Sequence, residues 1–76
     1  MEVALEGIYE HFKGKKYKLL KIAFDTETLK KVAILEALYG DYIIWARPFE
    51  MFAGEVTRDG KTFSRYKLLQ KPKDNL

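Results

Sequence analysis

Leu29-Lys30-Lys31-Val32-Ala33-Ile34-Leu35-Glu36-Ala37-Leu38-Tyr39 is the stretch whose reading decides the fold. It is rich in good helix formers, with Asp25 placed to cap a helix and Gly40 to end one. Yet Val32, Ile34 and Leu38 also fall on alternate positions, as in a strand, interrupted only by Glu36. Periodicity leaves helix and strand equally open here.

The flanks are less divided. Tyr42 to Ala46 (Tyr-Ile-Ile-Trp-Ala) is β-branched and aromatic and predicts a strand. Pro48 ends it, because proline has no N–H to donate and holds Arg47 extended. Pro48 to Phe52 suits one helical turn with the proline at its start. On the other side, Gly7 to Phe12 and Lys16 to Phe24 predict two strands joined by a turn at Lys13-Gly14-Lys15. The second strand slips phase. Tyr17 and Leu19 share one face, while Leu20, Ile22 and Phe24 share the other, which calls for a bulge. Further on, Gly54 to Arg58 and Lys61 to Leu69 flank Asp59-Gly60, a strong hairpin signal. Residues 1–6 are expected to be a frayed lead-in, 7–69 one domain, and 70–76 a disordered tail.

A chain of 76 residues has a thin core and depends on large side chains. Five Tyr, five Phe and one Trp supply them. Ile22, Ile34, Leu38, Ile43, Trp45, Phe52 and Val56 are the expected core. Short strands with tight turns leave open edges, and closure into a small barrel removes them. The reading is therefore all-β, with about five or six strands and a short helical turn near Pro48 to Phe52.

The absence of cysteine excludes disulfides and thiolate metal sites and favours a reducing compartment, so a soluble, cytoplasmic protein is expected. The acidic start, Met1 to Glu6, has the pattern of neither a signal peptide nor a membrane span. A net charge of +3 permits a nucleic-acid partner without requiring one.

Candidate chemistry is sparse. His11 is the lone histidine, with no metal-ligand spacing around it, so no metal is expected. It could serve as a base, but Ser64, the lone serine, is distant in sequence. The plainer expectation is a His11 that hydrogen-bonds locally, on the face opposite Ile8 and Glu10. Glu27, Glu36 and Asp41 suit loops and turns better than a catalytic pair. The glycines sit singly, so no nucleotide-phosphate loop is present and no cofactor is expected. One feature stands out: cations interleaved with aromatics. Lys13, Lys15, Lys16 and Lys18 surround Tyr17; Arg47 follows Trp45 on the same strand face; Arg65 adjoins Tyr66. Small barrels bind single strands by stacking bases on aromatics in a positive groove. Tyr9, Tyr17 and Tyr39 are the candidate stacking residues. His11, Lys13, Lys15, Lys16, Lys18, Arg47 and Arg65 are the remaining candidate contacts. Alternatively Trp45 and the tyrosines are core, and Arg47 pairs with Asp41 or Glu50.

Several segments in order resemble a known family: Gly7-x-Tyr9-x-His11-x-Lys13-Gly14-x-x-Tyr17, Ala23-x-x-x-Glu27-Thr28-Leu29, Leu38-Tyr39-Gly40-Asp41, Trp45-x-Arg47-Pro48-x-x-Met51-Phe52, and Arg65. Together they look like the short bacterial proteins grouped as domain of unknown function 1653. The resemblance runs from Gly7 to about Tyr66 and implies an SH3-like barrel or roll, which turns Lys31 to Tyr39 into a strand. It brings no catalytic residues with it. The function expected is a non-enzymatic binding module, contacting RNA or single-stranded DNA. The alternatives are a protein-interaction module, including a homodimer, and an enzyme with a site around His11.

Overall fold

The computed structural model describes residues 1–72. Its strands are β1 (Ile8–His11), β2 (Lys16–Phe24), β3 (Lys31–Ala37) and β4 (Ile44–Pro48). The single-turn helix α1 (Phe49–Phe52) follows, and then β5 (Glu55–Arg58), β6 (Lys61–Ser64) and β7 (Tyr66–Gln70). The disputed segment is a strand, as the family resemblance implied. Its buried face carries Ala33, Leu35 and Ala37, not Val32, Ile34 and Leu38. The two alanines leave room beside Leu35, and Phe52 packs in the same cluster.

β4-β3-β2-β1-β7 form one antiparallel sheet, and β5 and β6 form a separate hairpin. The all-β expectation holds, but the sheet is not closed into a barrel. β4 and β7 remain its two edges. Closure fails at a definite place. Pro48 offers no N–H to a neighbouring strand, and the chain turns there into α1. Phe52 then fills the space beside the sheet, edge-on to Tyr9 at 5.0 Å and tilted against Tyr66 at 5.0 Å.

The phase slip in β2 is a bulge between Leu19 and Lys21. It lets Tyr17, Leu19 and Ile22 share the inner face despite their spacing, opposite Ala37, Leu35 and Ala33. Asp59 and Gly60 take φ of 52° and 76°, the left-handed pair a tight hairpin turn requires. Lys61 to Leu69, read as one strand, is two. Arg65 breaks it, donating its N–H to the Gly54 carbonyl while its own carbonyl accepts from Phe12.

The core is Tyr9, Leu19, Ala33, Leu35, Phe52 and Tyr66. Of the residues expected there, Phe52 is fully buried and Ile22, Ile34, Leu38 and Val56 are half-buried. Ile43 and Trp45 are corrections: they are 52% and 51% exposed. Ile43 precedes its strand because Tyr42 turns the chain with φ of 56°. Trp45 faces inward beside Leu35, but at an edge strand with no layer above it. Residues 1–6 form no strand, yet they are anchored. The Tyr9 hydroxyl accepts from the Ala4 amide at 2.8 Å and donates to the Glu2 carbonyl at 3.0 Å. Of the expected disordered tail, Gln70 closes β7 and Lys71 pairs with Glu2 at 2.8 Å; residues 73–76 lie outside the described residues. No helix among the described residues is long and apolar enough to cross a membrane.

Candidate functional site

The inner face of the curled sheet is apolar at its centre and cationic at one end. There the two edge strands face each other across a cleft of about 330 Å³. Tyr17, Leu35, Trp45, Arg47, Met51 and Tyr66 line it. Arg47 on β4 crosses it, its guanidinium 5.7 Å from the Tyr66 ring centroid on β7. One guanidinium nitrogen, Nη1, is buried and has no hydrogen-bond partner among the described residues. Neither Asp41 nor Glu50 forms an ion pair with Arg47. The ion pairs described, Lys18–Glu6 and Lys71–Glu2, lie elsewhere.

Further cations gather at this end. His11 packs edge-on to Tyr66 at 5.0 Å. Its pKa is lowered from 6.5, first by desolvation and then by the positive charges of Arg47, Arg65 and Lys13. Its Nδ1 accepts from the Lys13 amide at 3.2 Å, the local hydrogen bond expected. The Tyr17 and Tyr39 hydroxyls are 2.7 Å apart, and burial together with this bond pushes Tyr17 up to about 12. Lys15 lies over the Tyr39 ring at 4.9 Å.

The structure thus brings His11, Lys13, Lys15, Tyr17, Tyr39, Arg47 and Arg65 to one end. It separates three of the candidates. Tyr9 is wholly buried and cannot stack on a ligand, which corrects that expectation. Its alternate position in β1 places it inward, under Phe52. Lys16 and Lys18 stand on the opposite face of the sheet, across from Glu10 and Glu36, and Lys18 also meets Glu6 at 3.6 Å. Sequence reading missed Phe12 and Arg58, which the hairpin brings together at 5.0 Å. It placed Trp45 in the core, although its spacing from Arg47 already set the two on one face.

A second hollow of about 280 Å³ lies by Lys30, Lys31, Phe49 and Glu50. It carries charges of both signs and, among the described residues, no buried unpartnered group. No cluster of metal-ligating side chains occurs among the described residues.

Fold and site together define a small, open-sheeted β-domain with an aromatic cleft around an arginine that forms no ion pair among the described residues. The protein of unknown function (DUF1653) family model matches residues 7–68, so the chain belongs to that family. The chain is also similar to a crystal structure of a DUF1653 protein from Bordetella bronchiseptica, with 22% identity, 92% of each chain covered and a TM-score of 0.76. That likeness concerns the fold. A comparison with curated proteins finds no match.

Proposed function

We propose that this chain is a non-enzymatic binding module that holds single-stranded nucleic acid, RNA or DNA, in the Arg47 cleft. The observation that carries this reading is the buried, unpartnered Nη1 of Arg47 beside the half-exposed ring of Trp45. A buried donor without a partner costs about 1–3 kcal/mol, which an anion in the cleft recovers. Guanidinium suits phosphate and base edges, and an exposed aromatic suits a base face. The cleft is near the lower limit of usual ligand pockets, about 300 Å³, which fits one nucleotide unit of a longer strand. Among the described residues no carboxylate orients His11, whose Nδ1 accepts from the Lys13 amide instead, and this arrangement supports binding over catalysis.

The test is anisotropy of a labelled single-stranded oligonucleotide at two salt concentrations, with intrinsic fluorescence followed in parallel. Trp45 is the sole tryptophan, so any change in indole emission reports on the cleft. Binding that weakens with salt and quenches Trp45 is expected. No binding at low salt sinks the reading.

A second reading rests on a different observation. Tyr42 and Ile43, which lead into β4, and Ile44 and Trp45, which begin this edge strand, are each more than half exposed. Such an edge suits a protein partner, including a second copy of this chain. A monomer by light scattering at high concentration removes the homodimer form.

A further inference from the structure

The cleft is one end of a longer array. Arg47 lies over Tyr66, Tyr66 meets His11, and His11 lies 4.5 Å from Phe12. Around Phe12 stand three cations: Arg58 at 5.0 Å, Lys13 at 5.9 Å and Arg65 at 6.0 Å from its ring centroid. The Nε of Arg65 is buried and, like Nη1 of Arg47, has no hydrogen-bond partner among the described residues. No ion pair neutralises any of the three among the described residues. Like charges gathered in this way repel, and a bound anion relieves them.

We propose that Arg58, Lys13 and Arg65 around Phe12 form a second, separate phosphate site that takes a neighbouring phosphodiester of the strand held in the Arg47 cleft. This inference rests on the reading above. It adds a role for the β5–β6 hairpin, which supplies Arg58. The hairpin is joined to the main sheet by side-chain packing, with Phe63 5.6 Å from Phe12, and by the hydrogen bond that the Phe12 N–H, next to β1, donates to the Arg65 carbonyl at 2.9 Å. It therefore acts as an arm that carries one cation to the ligand. The aliphatic stem of Arg58 can also dock the hairpin on Phe12 without any ligand, and the experiment separates these roles.

Arg58→Met keeps the apolar stem and removes the charge; Arg58→Lys keeps the charge. Both are compared with wild type for thermal stability and for binding a mononucleotide, a dinucleotide and longer oligonucleotides across a salt series. The expected result is an unchanged Tm for both variants. Arg58→Met should flatten the salt slope by about one unit for the longer strands. It should leave the mononucleotide unaffected, and Arg58→Lys should restore the slope. If Arg58→Met binds long strands with the wild-type slope, the second site is overturned while the cleft reading stands. If Arg58→Met lowers Tm without changing the slope, Arg58 only docks the hairpin. If wild type binds inorganic phosphate at this site but no oligonucleotide, both the strand path and the cleft reading fall.

Discussion

The guanidinium of Arg47 rests over the ring of Tyr66, 5.7 Å from its centroid, and so joins the two open edges of the sheet where no backbone pairing does. A closed barrel would fill that seam with hydrogen-bonded strands. Here the seam is a cleft, and its floor holds a positive charge.

Replacing this arginine should separate stability from binding. In Arg47→Met the unpartnered Nη1, which costs about 1–3 kcal/mol, is removed. The contact with Tyr66, worth about 0.5–2 kcal/mol, is lost as well. The two nearly offset, so urea unfolding should change by no more than about 1 kcal/mol. Oligonucleotide binding should fall strongly, with a shallower salt slope. A variant that binds as wild type shows that Arg47 is not the anchor.

Trp45→Ala should behave in the same sense through a different term. Trp45 is already half exposed. Its loss should therefore cost less than the roughly 3–5 kcal/mol of a core aromatic. Binding should weaken by about 1–3 kcal/mol with little change in salt slope, because stacking displaces no counterion. Equal losses of stability and binding would instead mark Trp45 as a packing residue.

His11 should make binding depend on pH. Desolvation and the charges of Arg47, Arg65 and Lys13 hold its folded pKa below 6.5, so the unfolded chain takes the proton first. Stability from the neutral imidazole is present above about pH 6.5 and is lost as pH falls below it. A bound anion favours the imidazolium, so affinity should rise as pH falls through that same window. Titration of binding between about pH 7.5 and 5.5 checks this, with His11→Asn expected to flatten the profile.

The two faces of β3 can be weighed against each other. Leu35 is 1% exposed on the inner face, and Ile34 is half-buried on the outer one. Leu35→Ala should cost about 2–5 kcal/mol, a large part of a small domain's stability. Ile34→Ala should cost clearly less. Chemical denaturation of both variants measures the difference, and equal costs would place the core on both faces.

Much of this fold is written in short stretches. The left-handed pair Asp59-Gly60, the turn at Gly14 and the helical turn after Pro48 depend on the φ preferences of one or two residues. The bulge in β2 shows as a one-residue slip of apolar phase. The interleaving of cations and aromatics was also visible, and it led to Tyr17, Tyr39, Arg47 and Arg65. Position in a strand, however, tells which residues share a face and not what covers that face. Tyr9 and Trp45 both point inward, yet Phe52 covers one while the other stays half exposed.

The sequence by itself determined the turns, the hairpin and the slip in β2, because each follows from local backbone preference or from side-chain alternation within one segment; the strand at Lys31 to Ala37, and with it the all-β class, was legible only through the family resemblance. Tertiary structure alone decided which face of β3 is buried, that the sheet stays open at β4 and β7, and that Arg47, Arg65, Lys13 and Arg58 meet at one end. Those outcomes depend on pairings between residues far apart in the chain. The choice is made by the packing of Phe52 and the register of the strands, which no single segment contains.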